Sequence, residues 1–89
     1  MNASEEFPFD LTAHARQVVA ERHIALAWVA RVLSAPERTE PDSVDAELRH
    51  ALGSIEEHDG RVLRVVYNQT TSPWRIVTAY FDRRERRKP

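Results

Sequence analysis

His14, Arg64 and Tyr80 are the side chains of this 89-residue chain best suited to moving a proton beside a phosphate. An imidazole or a phenol can take or give the proton, and a guanidinium can stabilise the charge that builds on phosphorane oxygens. RNA asks for little more, because it brings its own 2′-hydroxyl nucleophile. Arg22, Asn68, Thr78, Arg83 and Arg84 complete an inventory able to hold phosphates and sugar hydroxyls. Composition excludes most other chemistry. Cysteine is absent, so thiolate catalysis, disulfides and zinc-thiolate sites are ruled out. Two glycines, Gly53 and Gly60, cannot build a phosphate-cradling loop. The serine-nucleophile elbow and the histidine pair of zinc proteases are also missing. His50 and His58 stand among acids without metal-ligand spacing, so neither a metal nor a cofactor is expected. Structural readings stand beside the chemical ones. His14 in a first helical turn can be a packing or hydrogen-bonding residue, and Arg22 and Arg64 can pair internally with acids such as Glu21 or Glu57.

The formal net charge of −1 conceals a segregation. Between Pro36 and Asp59 eight acids face two arginines, a local charge of −6; between Arg61 and Pro89 eight cations face two acids, a local charge of +6. Local distribution, rather than the sum, sets the field a partner meets. A basic C-terminal third can attract an anionic polymer or an acidic protein, or can be a solvated tail beside a solvated acidic loop. No apolar run approaches the roughly 18 residues of a membrane helix. The opening Met1-Asn2-Ala3-Ser4-Glu5-Glu6 is acidic and polar, unlike a secretory signal. A single cytoplasmic domain over residues 1–89 is therefore expected, with 83–89 as a frayed basic tail and no membrane or direct DNA contact.

The elements that must position these residues follow from periodicity. Phe7-Pro8-Phe9 suits a short edge strand. Asp10 or Thr12 can cap a helix over Ala13 to Arg22, with Ala15, Val18 and Val19 at i, i+3, i+4 spacing. A break at His23-Ile24-Ala25 leads to a second helix from Leu26 to Leu33, ended by Pro36, and the two read as a helical hairpin. Pro36 to Ser43 reads as a surface loop. Ser43 then caps a short helical turn through Ala46, Leu48 and Leu52, closed by Gly53. Ser54 to His58 has weak strand character, and Asp59-Gly60 is a two-residue hairpin signal. Arg61 to Asn68 and Arg75 to Phe81 are β-rich runs separated by a turn cluster, Asn68 to Pro73.

The predicted fold class is α+β: an N-terminal helical hairpin packed on one face of a small antiparallel sheet of three to four strands. Alternation gives the helix-covered face Leu63, Val65, Val77, Ala79 and Phe81, and leaves Arg64, Asn68, Thr78 and Tyr80 on an open face. That set suits phosphate contact and base stacking. An ordinary half-solvated antiparallel sheet has the same composition.

Leu11-Thr12-x-His14-Ala15-Arg16, Glu21-Arg22-x-Ile24 and Trp28-Val29 form an opening pattern. Arg61 to Val66 and Val77-Thr78-Ala79-x-Phe81-Asp82-Arg83 form a closing one, with an acidic middle from Glu40-Pro41-Asp42 to Leu52-Gly53-Ser54-Ile55. Together they resemble, over nearly the whole chain, a widespread family of small bacterial proteins catalogued as a domain of unknown function. That family is in turn similar to the BrnT-like and RelE/ParE-like toxins of type II toxin–antitoxin systems. The second resemblance implies a metal-independent mRNA endonuclease or translation inhibitor, acting on RNA or the ribosome and neutralised by a small antitoxin encoded next door. His14, Arg22, Arg64 and Thr78 carry over by motif position; Tyr80 is added from face geometry. The alternative function is a non-catalytic protein-interaction module that pairs through a sheet edge or the basic tail.

Overall fold

Thr12 fastens the first helix to the last strand. In a computed structural model, which describes residues 8–86, its Oγ1 accepts from the Ala15 N–H at 3.0 Å. The same residue's backbone N–H donates to the Ile76 carbonyl at 3.0 Å, and its hydroxyl to the Val77 carbonyl at 3.3 Å. Helix α1 runs Ala13–Glu21 and buries Ala15, Val18 and Val19, the stripe its spacing predicts. It ends in a Schellman motif: His23 N–H reaches the Ala20 carbonyl at 3.3 Å and Ile24 N–H the Val19 carbonyl at 2.9 Å. His23 stands at the left-handed position with φ 56°, where glycine is ordinarily found. Because that conformation costs an L side chain roughly 1–2 kcal/mol, His23→Gly is expected to raise stability by about 1 kcal/mol in urea unfolding, against the larger entropy glycine loses on folding. An unchanged or lower midpoint would show that the imidazole contributes contacts of its own. Helix α2, Leu26–Ser34, buries Val29, Ala30, Val32 and Leu33.

Five strands form one mixed sheet in the order β1-β5-β4-β3-β2, with β1 (Phe9–Leu11), β2 (Arg38–Pro41), β3 (Leu48–Ile55), β4 (Arg61–Asn68) and β5 (Trp74–Arg86). β1 pairs parallel with β5; every other pairing is antiparallel. α1 packs on β5, while α2 packs on β3 and β4. This corrects the expected helical hairpin on a three- to four-stranded antiparallel sheet. Each helix spends its apolar stripe on different strands, the expected N-terminal edge strand lies at Phe9–Leu11 and pairs parallel, and β2 adds an extra hairpin strand.

Further corrections concern single segments. Pro36 to Ser43 is not all loop: β2 lies within it, an edge strand whose charges and proline imitate a loop. The predicted helical turn through Leu48 and Leu52 is β3, and Gly53 is a strand residue under α2 rather than a helix cap. The strand expected over Ser54 to His58 stops at Ile55 and tightens into a 3-10 turn, Glu56–His58. Asp59 and Gly60 do turn the chain with φ 59° and 68°, but they close a longer connection, because Ile55 pairs with Arg61. β4 has the predicted bounds. β5 continues through Arg83 to Arg86 where a frayed tail was expected, while residues 87–89 and Phe7 lie outside the described residues.

Candidate functional site on the helix-free face of the sheet

β4 alternates between two environments. Leu63, Val65 and Tyr67 join the core beneath the helices, so Val62, Arg64 and Val66 turn the other way. Across the ladders, Arg64 stands opposite Tyr80 on one side and Leu52 on the other, and Val66 opposite Thr78 and His50. The register shifts between Val66 and Tyr67, so Tyr67 pairs with Ile76 and Val77 is passed over. That irregularity puts Ile76 in the core, where the sequence reading placed Val77, which is only partly buried.

The centre of this face is not open. Arg64 is 6% exposed and Leu52 3%. The Arg64 Nε donates to Asp82 Oδ2 at 2.9 Å and its Nη1 to His50 Nδ1 at 2.8 Å. Glu40 Oε1 lies 3.6 Å from Nη1, and Glu85 Oε2 lies 3.5 Å from Nη2. Asp82, 5% exposed, also accepts from the Arg84 N–H at 3.0 Å. Burial alone would push the Asp82 carboxyl up; the Arg84 amide and the Arg64 guanidinium overcome it and hold the group below its ordinary range. His50 closes the chain, its Nε2 lying 2.7 Å from Asp42 Oδ1. A guanidinium can only donate, so Nδ1 is the acceptor and Nε2 carries the proton given to Asp42. Both ring nitrogens are therefore engaged.

Asp42 is anchored from its other oxygen by the amides of Asp45 at 2.9 Å and Val44 at 3.0 Å. Those donors, the Asp45 amide first and His50 next, lower its pKa to about 2. A depressed carboxylate contributes stability that is full above its unfolded value near ~3.9 and is lost as pH falls toward the folded one. Asp42→Asn is therefore expected to lower the urea midpoint near neutrality and to flatten its decline between roughly pH 4 and pH 2. A variant whose acid limb parallels the native one would show that Asp42 is not held this way.

Arg64, Thr78 and Tyr80 are thus brought together on one face; Thr78 and Tyr80 are half-buried. His14 and Arg22 are not with them. They are exposed on α1 and at its end, on the helix-covered side. Asn68 Oδ1 accepts from the Thr70 N–H at 2.9 Å and hydroxyl at 2.6 Å, which folds the β4–β5 turn. Arg83 and Arg84 are exposed, with Arg84 Nε 3.5 Å from Asp82. Sequence reasoning missed His50, Asp42, Asp82, Glu40 and Glu85. The parity of Leu48, His50 and Leu52 was the available signal, and it was spent on a helix. Among the described residues no group of three or more His, Cys, Asp or Glu is placed to hold a metal ion, and no helix is long and apolar enough to cross a membrane.

A family model described as a domain of unknown function, DUF4258, matches residues 11–81. No curated protein and no solved structure matches the chain, so the likeness to BrnT-like and RelE/ParE-like toxins gains no support from relatives.

Proposed function

The chain belongs to the DUF4258 family, a domain of unknown function, and from that premise we propose that it is a non-catalytic protein-interaction module. One observation carries the reading: Arg64, buried on the helix-free face, is bonded to Asp82 and His50 and ringed by Glu40 and Glu85, and both ring nitrogens of His50 are engaged. A phosphate arriving there meets Asp82, Glu40, Glu85 and Asp42 around Arg64, Arg38 and Arg84. Drawing Arg64 away from Asp82 would leave a buried carboxylate uncompensated, at a cost of about 3–5 kcal/mol. A general base needs a free lone pair within reach of the proton, and His50 keeps none.

The RNA endonuclease reading retains Tyr80 and Thr78 beside Arg64 as its support, and one experiment separates the two. Purified chain is incubated with end-labelled RNA, and the chain is expressed under tight induction in a bacterial host. The interaction reading expects intact RNA and unarrested growth. Cleavage or arrest that Tyr80→Phe abolishes, with the fold intact, overturns it. A small protein encoded by an adjacent gene is the first partner to reconstitute.

A further inference from the structure

β1 is an edge strand of three residues, Phe9–Leu11, held on one side only among the described residues. Thr12 donates inward to Ile76, so strand alternation turns the N–H and C=O groups of Leu11 and Phe9 to the outer side. An exposed edge is a template for another strand unless something blunts it. Here a groove of about 570 Å³ runs along it, with Asp10, Leu11, Thr12, Arg16, Leu26 and Arg75 in its lining. Leu26 is 48% exposed, one of two large apolar side chains left outside the core among the described residues. At the far end of β1, Phe9 pairs in register with Trp74, whose ring stacks on Tyr67 at 4.9 Å.

The charges of the groove are only partly balanced from within, where Asp10 stands opposite Arg75 in register. Arg31, Arg38, Arg64 and Arg84 all lie in ion pairs. Arg16 and Arg75 are in none among the described residues, and neither are Arg22, Arg49, Arg61 and Arg83, but of these six only Arg16 and Arg75 line the groove. Arg16 and Leu26 on the helix-covered side and Arg75 on the other face thus flank a strand edge that no described strand covers. Resting on the interaction reading above, we infer that this edge takes an extended acidic segment of a partner protein as a sixth strand, its carboxylates on Arg16 and Arg75 and an apolar side chain on Leu26. The outward N–H and C=O groups of Phe9 and Leu11 ask for a peptide backbone, which RNA does not offer.

The test is selection of random octapeptides displayed against the full chain. Enriched peptides are expected to be acidic, with an apolar residue among the carboxylates. Their affinity for the folded Arg16→Glu, Arg75→Glu double variant is expected to fall at least tenfold, and amide exchange at Phe9 and Leu11 to slow in the complex. Failure to enrich any peptide, enrichment without acids, or equal binding by the charge-reversed chain overturns the assignment. So does protection confined to other strands. A labelled oligouridylate that displaces the peptide with the same arginine dependence also overturns it, in favour of nucleic acid. None of the peptide outcomes touches the interaction reading itself, which falls on RNA cleavage or growth arrest.

Discussion

Replacing Arg64 by Ala is expected to destabilise the fold by about 3–5 kcal/mol. At roughly 4–8 °C per kcal/mol for a domain of this size, the thermal midpoint should drop by at least ~12 °C. The cause is not the loss of one attraction. Asp82 is 5% exposed and has Arg64 at 2.9 Å as its principal cation, so truncation strands a buried carboxylate. His50 loses the donor to Nδ1 as well. A surface arginine that waits for phosphate would give the opposite result, a nearly unmoved midpoint, and circular dichroism melting distinguishes the two. The pair can be separated from its parts by a double-mutant cycle. Arg64→Met with Asp82→Leu is expected to cost much less than the sum of the single changes, because a buried pair exchanged for apolar groups of similar volume leaves no charge uncompensated. Strict additivity would show that the two side chains stabilise the sheet independently.

Gly53→Val is expected to cost about 1–3 kcal/mol through overpacking. A Cβ built at Gly53 stands 3.2 Å from Val32 Cγ2, with the Val32 Cβ and Cγ1 at 3.8 Å, so α2 rests almost directly on the β3 backbone. Valine suits a strand, and its β propensity would offset part of the cost at an open position. Here its methyl groups have nowhere to go without lifting the helix. The diagnostic is the background. In a Val32→Ala chain the same substitution is expected to cost under ~0.5 kcal/mol, because the space it needs has been vacated. An equal cost in both backgrounds would place the strain elsewhere in β3.

Those two positions also show what the sequence made legible. Both helices could be read because each has one apolar stripe and a recognisable boundary: Thr12 before α1, Pro36 after α2. β4 could be read to its last residue because its β-branched run leaves no competing period. β3 could not. Its core-facing side is built from Ala51, Gly53 and Ile55, and small residues under a helix erase the alternation that marks a strand. β2 is an edge strand, and the charges and proline that protect an edge are also the marks of a loop. The site divided along the same line. Arg64 and Tyr80 share a face by parity alone and were found together. Of their company, Asp82 and Glu85 lie farther along β5, past the Phe81 at which the sequence ended that strand, while His50 and Glu40 come from β3 and β2, so their placement depends on pairing register and on those two segments being strands at all. The segregation of charge acquires a meaning in the same way. The acidic and basic segments supply neighbouring strands, β3 and β4, and Glu40 of the acidic segment lies 3.6 Å from Arg64 of the basic one.

The parallel contact of β1 with β5 joins the first strand of the described chain to the last. Contacts of such long sequence separation are slow to form, since the chain between them must be ordered first. During synthesis α1 leaves the ribosome long before the strand it packs on, and Ala15, Val18 and Val19 stay uncovered until Trp74 and its successors emerge. A nascent chain stalled ahead of β5 thus presents an amphipathic helix and two bare strand edges, the profile that chaperones bind and proteases clear. Emergence of β5, rather than completion of either helix, is the event that commits this domain to its fold.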